Sequence, residues 1–198
     1  MMPGVLHHVR SVLAYNSYGM NKEIITSLKN GGVGVIPTDT IYGIVCLAHD
    51  KQAVEKVYAL KRRDAHKPMI VIAANRADVL RCGVQLDDAT WSMLEAQWRS
   101  QPSSIILPAD DTLKHVHRDK QTVAIRVPYS NSDSMELLRA TGPLVATSVN
   151  ISGVPPLHGI TDIKREFPHL DFYLEGDVAE QPSQLYQLQD TTLQLVRR

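Results

Sequence analysis

The sequence predicts an α/β fold, in which one domain spans residues 1–198 and a twisted sheet of parallel and antiparallel strands is flanked by helices. Short β-branched runs alternate along the chain with amphipathic stretches that begin at polar capping residues. No repeat, low-complexity tract or linker-like segment marks a domain boundary. A length of 198 residues is sufficient for one substantial core and short for two domains of ordinary size.

The first predicted elements surround a polar break. Residues 21–32 predict a helix that ends at two glycines, and residues 33–37 and 42–48 predict strands on either side of the break. Asp50 is predicted to cap a helix that runs into the sequence KRR, with Lys61 on the apolar face of that helix. The break and the basic helix end are therefore neighbours along the chain.

The remaining elements continue this alternation. The patterns predict strands over residues 69–73, 104–109, 122–128 and 143–148, helices over residues 75–83, 87–98, 132–142 and 161–167, and late strands in the sequences FYLEG, LYQLQ and TLQLV. Strands and helices in this order predict a sheet that is covered by helices.

Charge and composition exclude several classes of function. The 21 basic and 21 acidic residues cancel, so no overall field would draw the chain onto nucleic acid or an anionic membrane. Two cysteines cannot build a disulfide framework, and no Cys/His pairs have the spacing of a zinc site. The N-terminal stretch lacks the apolar segment of a signal peptide, and no apolar run is long enough to span a bilayer. We expect a cytoplasmic protein that meets any anion with a local cluster of charge.

Such a cluster lies at the end of the second predicted helix, in Lys61, Arg62, Arg63, His66 and Lys67. It could be a solvated helix end, because basic residues complement the dipole at a helix C-terminus. It could instead bind a polyanion, because it continues past the helix to a proline that directs the chain back into the sheet. Loops at strand ends are where α/β proteins bind ligands.

The sequence IPTDTIYG, residues 36–43, places Thr38, Thr40 and Tyr42 in the break between two apolar runs. Threonine and aspartate are ordinary turn residues, so a polar turn is one interpretation. The alternative is a pocket for a small polar substrate, since Gly43 allows a backbone to approach a ligand closely.

Two further features are ambiguous when each is taken alone. In ATSVNISG, residues 146–153, a predicted strand runs into Ser148, Asn150 and Ser152, whose small polar side chains and backbone N–H groups could hold a phosphate. Arg126 lies inside an apolar strand, where a charged residue needs a partner. That partner could be an acidic side chain or an anionic ligand.

Four segments taken together and in order, GGVGVIPTDTIYGIVC, LKRRDAHKPM, VAIRVP and LVATSVNISGVPP, resemble the YrdC/YciO family of threonylcarbamoyl-AMP synthases. The similarity runs from about Gly31 to Pro156, with weaker traces beyond. It implies a YrdC-like α/β fold in the short, bacterial-type form. The implied reaction converts L-threonine, bicarbonate and ATP, with Mg²⁺ carried by the ATP, to threonylcarbamoyl-adenylate and pyrophosphate.

The resemblance also implies partners and site residues. Downstream proteins would transfer the threonylcarbamoyl group to tRNA, and no membrane is involved. By position, Lys61 and Arg63 would be the catalytic ligands of phosphate and carboxylate, and no metal ligands are expected. Threonine and bicarbonate would be bound by Thr38, Thr40, Tyr42, Lys67, Arg126 and Ser183, and the nucleotide by Lys61, Arg63, Ser104, Ser148, Asn150, Ser152 and Arg197.

Some positions depart from the family pattern. Val45 replaces a frequent glycine, Val149 replaces the alanine of a SAN-type loop, and the sequence SQPSSIIL leaves Ser104 as the only hydroxyl where a PGPxT segment has threonine. These departures leave room for an alternative, a non-catalytic paralogue that binds nucleotide or double-stranded RNA. Zero net charge and few aromatic residues argue against strong RNA binding.

Overall fold

The central feature of the computed structural model is a nine-stranded mixed sheet, which the structure describes over residues 21–129 and 133–197. Residues 1–20, in which no signal peptide is expected, lie outside the described part of the chain. The strands are β1 (Gly34–Ile36), β2 (Gly43–Leu47), β3 (Ile70–Ile72), β4 (Ser103–Pro108), β5 (Thr122–Arg126), β6 (Leu144–Ser148), β7 (Phe172–Tyr173), β8 (Gln184–Gln189) and β9 (Thr192–Arg197). This confirms the predicted α/β class.

The helices largely occupy the predicted stretches. They are α1 (residues 21–29), α2 (Lys51–Lys61), α3 (Arg76–Arg81), α4 (Asp88–Ser100), α5 (Lys114–His117), α6 (Asp133–Thr141) and α7 (Ile160–Glu166). Asp50 caps α2 as predicted, because its carboxylate accepts a hydrogen bond from the backbone N–H of Ala53 at 3.0 Å. The sequence missed α5 and the 3₁₀ turn Asp111–Leu113 before it, which are too short to show an apolar period.

The sheet order is β7-β1-β2-β6-β3-β5-β4-β8-β9. Parallel pairs are β1 with β7, β3 with β5 and β4 with β8, and the other neighbours are antiparallel. Strand β6 lies in the interior between β2 and β3, although it follows both by many residues. The sheet therefore brings loops from distant parts of the chain close together at the ends of neighbouring strands.

Two apolar layers cover the two faces of the sheet. Because side chains alternate along a strand, Val35 and Ile36 enter different layers. One layer receives the apolar stripes of α2 and α4, and the other receives those of α1 and α6. Among the described residues, no helix combines the length and the hydropathy needed to cross a membrane.

The end of α2 is set by backbone conformation. Arg62 adopts a left-handed conformation with φ of 48°, and its backbone N–H donates back to the carbonyl of Ala59 at 3.1 Å. The chain then reverses direction and enters β3 two residues after Pro68. Lys61 and Arg63, on either side of this cap, consequently point into different surroundings.

Candidate active site

A cavity of about 330 Å³ opens where the loop between β1 and β2 meets the ends of β5, β6 and β9. Eight of the predicted site residues line it: Thr38, Thr40, Tyr42, Arg63, Arg126, Ser148, Ser183 and Arg197. Among the described residues, its lining contains three guanidinium groups and no carboxylate. A concave site with this charge is suited to an anionic ligand.

The other five predicted residues lie outside the cavity lining. They are Lys61, Lys67, Ser104, Asn150 and Ser152. Lys67 is exposed, while Ser104 is buried and shares a 2.9 Å hydrogen bond with Ser183. The structure therefore places Ser104 behind Ser183 rather than at the surface that would meet a ligand.

Lys61 is only 1% exposed, although it is the last residue of α2 and carries a charge. Its ammonium donates to the backbone carbonyls of Ser148 and Asn150, the latter at 2.9 Å, and to the Asn150 side-chain oxygen at 2.7 Å. Burial, with the positive charge of Arg63 as a smaller cause, lowers the pKa of Lys61 to about 7. The ammonium of Lys61 is thus directed at the loop of residues 148–152, and Lys61 does not line the cavity.

Arg63 differs in that its side chain lines the cavity. Its Nη2 donates to the carbonyl of Pro68 at 2.8 Å, and its Nε donates to the carbonyl of Lys67 at 3.3 Å. Burial lowers the pKa of Arg63, and the positive charge of Arg197 acts in the same direction. Two nearby cations that face one cavity are stabilised when an anion lies between them.

A directed chain of hydrogen bonds connects Arg126 to the loop before β2. Arg126 Nη1 donates to Thr40 Oγ1 at 2.8 Å, and the hydroxyls of Thr40 and Thr38 are 3.0 Å apart. Thr38 Oγ1 gives its only proton to the carbonyl of Ile41 at 2.8 Å and also accepts from the backbone N–H of Thr40. Thr40 must therefore donate to Thr38, which fills both acceptor positions of Thr38 and leaves one free on Thr40.

Asp39 lies in the predicted substrate loop, although no role was predicted for it. Its carboxylate lies 3.3 Å from Arg126 Nη2, and the two side chains are 9% and 7% exposed. Arg126 therefore has an acidic side chain as a partner within the protein. The Nε of Arg126 is buried without a hydrogen-bond partner in the described residues, so this guanidinium still has a donor to offer.

Tyr42 lines the cavity with its ring, but its hydroxyl is engaged elsewhere. It donates to the carbonyl of Gly176 at 2.7 Å and accepts from the Gly176 N–H at 3.2 Å. A Cβ at Gly176 would lie 2.9 Å from Pro37, so this close approach favours glycine. Tyr42 therefore fastens the segment after β7 onto the predicted substrate loop.

The family follows from comparison of the whole chain with known proteins. The model of the Sua5/YciO/YrdC family, which is described as "Telomere recombination", matches residues 26–198. The chain belongs to this family. Threonylcarbamoyl-AMP synthase of Photobacterium profundum is 30% identical to this Sua5/YciO/YrdC protein over 174 residues, which are 83% of this chain and 91% of the relative. The synthase of Laribacter hongkongensis is 33% identical over 150 residues, or 75% and 80% of the two chains.

Solved structures of the Sua5/YciO/YrdC family share the fold. E. coli YciO aligns with a TM-score of 0.77 at 23% identity, covering 92% of this chain and 89% of its own. P. abyssi Sua5, crystallised in complex with L-threonine, aligns with a TM-score of 0.80 at 22% identity over 91% of this chain. This chain spans 54% of that Sua5 chain.

The departures from the family pattern lie away from the cavity. Val45 and Val149 are both fully buried, and neither lines the cavity. Each contributes to an apolar layer of the core, Val45 to the layer that receives α1 and α6, and Val149 to the opposite one. These substitutions therefore change the packing behind the cavity rather than its surface.

Proposed function

We propose that this protein is an L-threonylcarbamoyladenylate synthase. The amine of L-threonine and bicarbonate would form the carbamate with loss of water, and an oxygen of this carbamate attacks the α-phosphorus of ATP. The bond from that phosphorus to the oxygen bridging to the β-phosphate breaks, and pyrophosphate leaves. This would make the protein a nucleotidyltransferase whose product supplies tRNA-modifying proteins in the cytoplasm.

The observation that carries the proposal is the cavity lined by Arg63, Arg126 and Arg197. ATP and carboxylated threonine are both polyanions, so bringing them together requires cations that neutralise their repulsion. The cavity supplies these cations, and none of the described residues in its lining carries a carboxylate. Relatives that are about 30% identical over most of the chain are named threonylcarbamoyl-AMP synthases, which supports the choice among anionic substrates.

The two sides of the cavity suggest a division of roles. Arg126 has a buried Nε without a partner and donates through Nη1 to Thr40, which keeps one free acceptor position. We assign the carboxylate of threonine to Arg126 and its hydroxyl to Thr40. Arg63 and Arg197 would meet the phosphates and the developing negative charge at the reacting phosphorus. No protein nucleophile is required, because the carbamate attacks directly.

Mg²⁺ is proposed to enter with ATP. Within the described residues, no group of three or more His, Cys, Asp or Glu side chains is placed to hold a metal ion. Phosphate oxygens and water are common ligands of Mg²⁺ at nucleotide sites, and this cavity has space for a phosphate chain. Bound in this way, the ion would neutralise charge on the leaving pyrophosphate.

The decisive experiment measures product formation directly. Purified protein is incubated with ATP, Mg²⁺ and ¹³C-bicarbonate, with and without L-threonine, and the adenylate is detected by mass spectrometry. We expect pyrophosphate release and a labelled adenylate only when threonine is present. Nucleotide binding without any labelled adenylate would instead support the alternative, a non-catalytic paralogue. No feature of the described cavity favours that alternative.

A further inference from the structure

The loop after β6, residues 148–152, is fastened to the end of α2 by one residue. Three hydrogen bonds run from the Lys61 ammonium to oxygens of Ser148 and Asn150. A fourth runs from the backbone N–H of Ser152 to the backbone carbonyl of Lys61 at 2.9 Å. Lys61 therefore holds the loop at both of its ends.

We infer that Lys61 is a positioning residue, which shapes the loop of residues 148–152 for the nucleotide and does not itself touch phosphate. The inference rests on the proposed function for the identity of the ligand. It assigns the phosphate contacts of the basic cluster to Arg63, which lines the cavity. Lys61 and Arg63 thus have different tasks although they are two residues apart.

The number of N–H donors on Lys61 supports these different roles of Lys61 and Arg63. An ammonium group has three N–H donors, and all three of Lys61 are directed at acceptors of the loop. With 1% exposure, the side chain has neither an unused donor nor a surface that a phosphate could reach. A direct phosphate contact would require at least one of these bonds to break.

The hydrogen bonds between Lys61 and the loop of residues 148–152, which we call the clamp, are connected to the cavity through Asn150. The Asn150 side-chain oxygen accepts from both Lys61 and the hydroxyl of Ser148, the latter at 2.7 Å. Its amide nitrogen donates to the carbonyl of Val154 at 2.5 Å, which fixes the orientation of the amide. Ser148 lines the cavity, and its hydroxyl proton is used in the bond to Asn150. Only the lone pairs of this hydroxyl are therefore left for the ligand, and they suit an N–H or O–H group of the nucleotide.

Trace acetylation of the ligand-free protein tests the burial of Lys61 without any variant. Lysine labelling with acetic anhydride is measured by peptide mass spectrometry, and the exposed Lys67 serves as the matched control. Each rate is divided by the fraction of neutral amine, which is obtained from the pH dependence of labelling. After this correction we expect Lys61 to react at least about tenfold more slowly than Lys67, because a side chain that is nearly inaccessible cannot meet the reagent. Equal rates for the two lysines, with ATP protecting Lys61, would overturn the inference.

A double-mutant cycle tests whether Lys61 acts through Asn150. The dissociation constant of ATP is measured for wild type, Lys61→Met, Asn150→Ala and the double variant. We expect each single variant to weaken ATP about tenfold and the double variant to be no worse than the weaker single one, because both changes release the same loop. Losses that multiply in the double variant would show an independent contact between Lys61 and ATP.

Amide hydrogen exchange gives a readout that does not need ATP. In Lys61→Met and in Asn150→Ala, the amide of Ser152 should exchange faster than in wild type, whereas Arg63→Ala should leave it unchanged. If Lys61→Met does not fold, Asn150→Ala carries the test, since it should also increase acetylation of Lys61. Unchanged exchange and acetylation in Asn150→Ala would contradict the clamp. Failure of wild type to bind ATP would contradict the proposed function and leave the labelling result intact.

Discussion

The cavity has two sides that hold their charges in different ways. The inner wall, formed by Thr38, Thr40 and Arg126, is 3–6% exposed and is bonded side chain to side chain. The basic rim, formed by Arg63 and Arg197, is half-buried to exposed, and in the described chain neither arginine has an ion-pair partner. The inner wall therefore has fixed geometry, and the basic rim has charge that remains available.

This difference indicates which interactions select between ligands and which attract any anionic ligand to the cavity. A directed hydrogen-bond chain presents one lone pair and one unpaired donor, so it discriminates between ligands of different shape. Free arginines attract any polyanion of suitable size and adapt to it. Changes to the inner wall should accordingly affect stability and substrate choice, whereas changes to the basic rim should affect affinity and turnover and leave stability unchanged.

The largest effect is expected from Arg126→Ala. It leaves the buried carboxylate of Asp39 without its partner, so the free energy of unfolding should fall by about 3–5 kcal/mol. Urea denaturation followed by circular dichroism measures this loss. The matched control is the double variant Asp39→Asn with Arg126→Met, which should recover most of the stability and none of the activity. A single variant as stable as wild type would show that the inner wall is no more constrained than the basic rim.

Arg63→Ala tests the other side. We expect the fold to remain intact. Arg63 donates to two backbone carbonyls, and water can replace it as their donor. Loss of charge-assisted bonds worth about 1.5–3 kcal/mol each should weaken ATP or threonine binding roughly ten- to a hundredfold. Calorimetric titration measures both affinities.

Arg63→Lys is the control for this prediction, since lysine keeps the charge and loses the planar fork that matches phosphate. It should bind with an affinity between those of wild type and Arg63→Ala. Affinities that are unchanged in Arg63→Ala would make the basic cluster a solvated helix end after all.

A smaller effect is expected at Thr40, the hydroxyl of the inner wall with a free acceptor position. Thr40→Val should reduce the preference for threonine over 2-aminobutyrate by about tenfold, the value of one neutral hydrogen bond. Turnover of the two substrates in competition gives the ratio. Thr40→Ser should restore the preference, and Thr38→Ser should leave it unchanged. Loss of preference in Thr40→Ser would mean that the hydroxyl of Thr40 does not determine the choice of substrate.

The smallest effect concerns Lys61, which is buried like the inner wall and yet has only neutral acceptors. Because its folded pKa of about 7 lies below the ordinary value of 10.5, the unfolded chain binds more protons between these limits. Stability should therefore rise with pH in this window, by about 1 kcal/mol from pH 7 to pH 8. Urea denaturation at both values measures the rise, and Lys61→Met should lack it. An equal rise in both proteins would assign the pH dependence to other groups.

Local patterns predicted much of this arrangement. The 3.6-residue period of α2 placed Lys61 on its apolar face, and the burial of that side chain confirms it. The capping role of Asp50 and the strand around Arg126 are likewise properties of a few adjacent residues. These predictions succeeded because helix periodicity and capping are determined within about one turn.

The contacts that define the cavity could not be predicted in this way. Tyr42 bonds to Gly176, and Ser104 bonds to Ser183, across long separations in sequence that only the sheet order closes. The saturation of Thr38 depends on the direction of each hydrogen bond, which follows from the donation of Thr38 to the Ile41 carbonyl. Sequence alone therefore identified eight of the seventeen described lining residues, but not which of their polar atoms remain available to a ligand.

The sheet order also has a consequence for the time course of folding. Strand β2 pairs with β6 and β1 pairs with β7, so the sheet depends on contacts between residues far apart along the chain. Loop-closure entropy must be lost before such contacts form, which is typical of domains that fold in roughly milliseconds to seconds rather than microseconds. The cavity is lined by residues from Thr38, near the start of the described chain, to Arg197 in β9, so it needs strands from both ends of the sequence. Ligand-binding competence should therefore appear in the last kinetic phase of refolding, after most helical signal has returned.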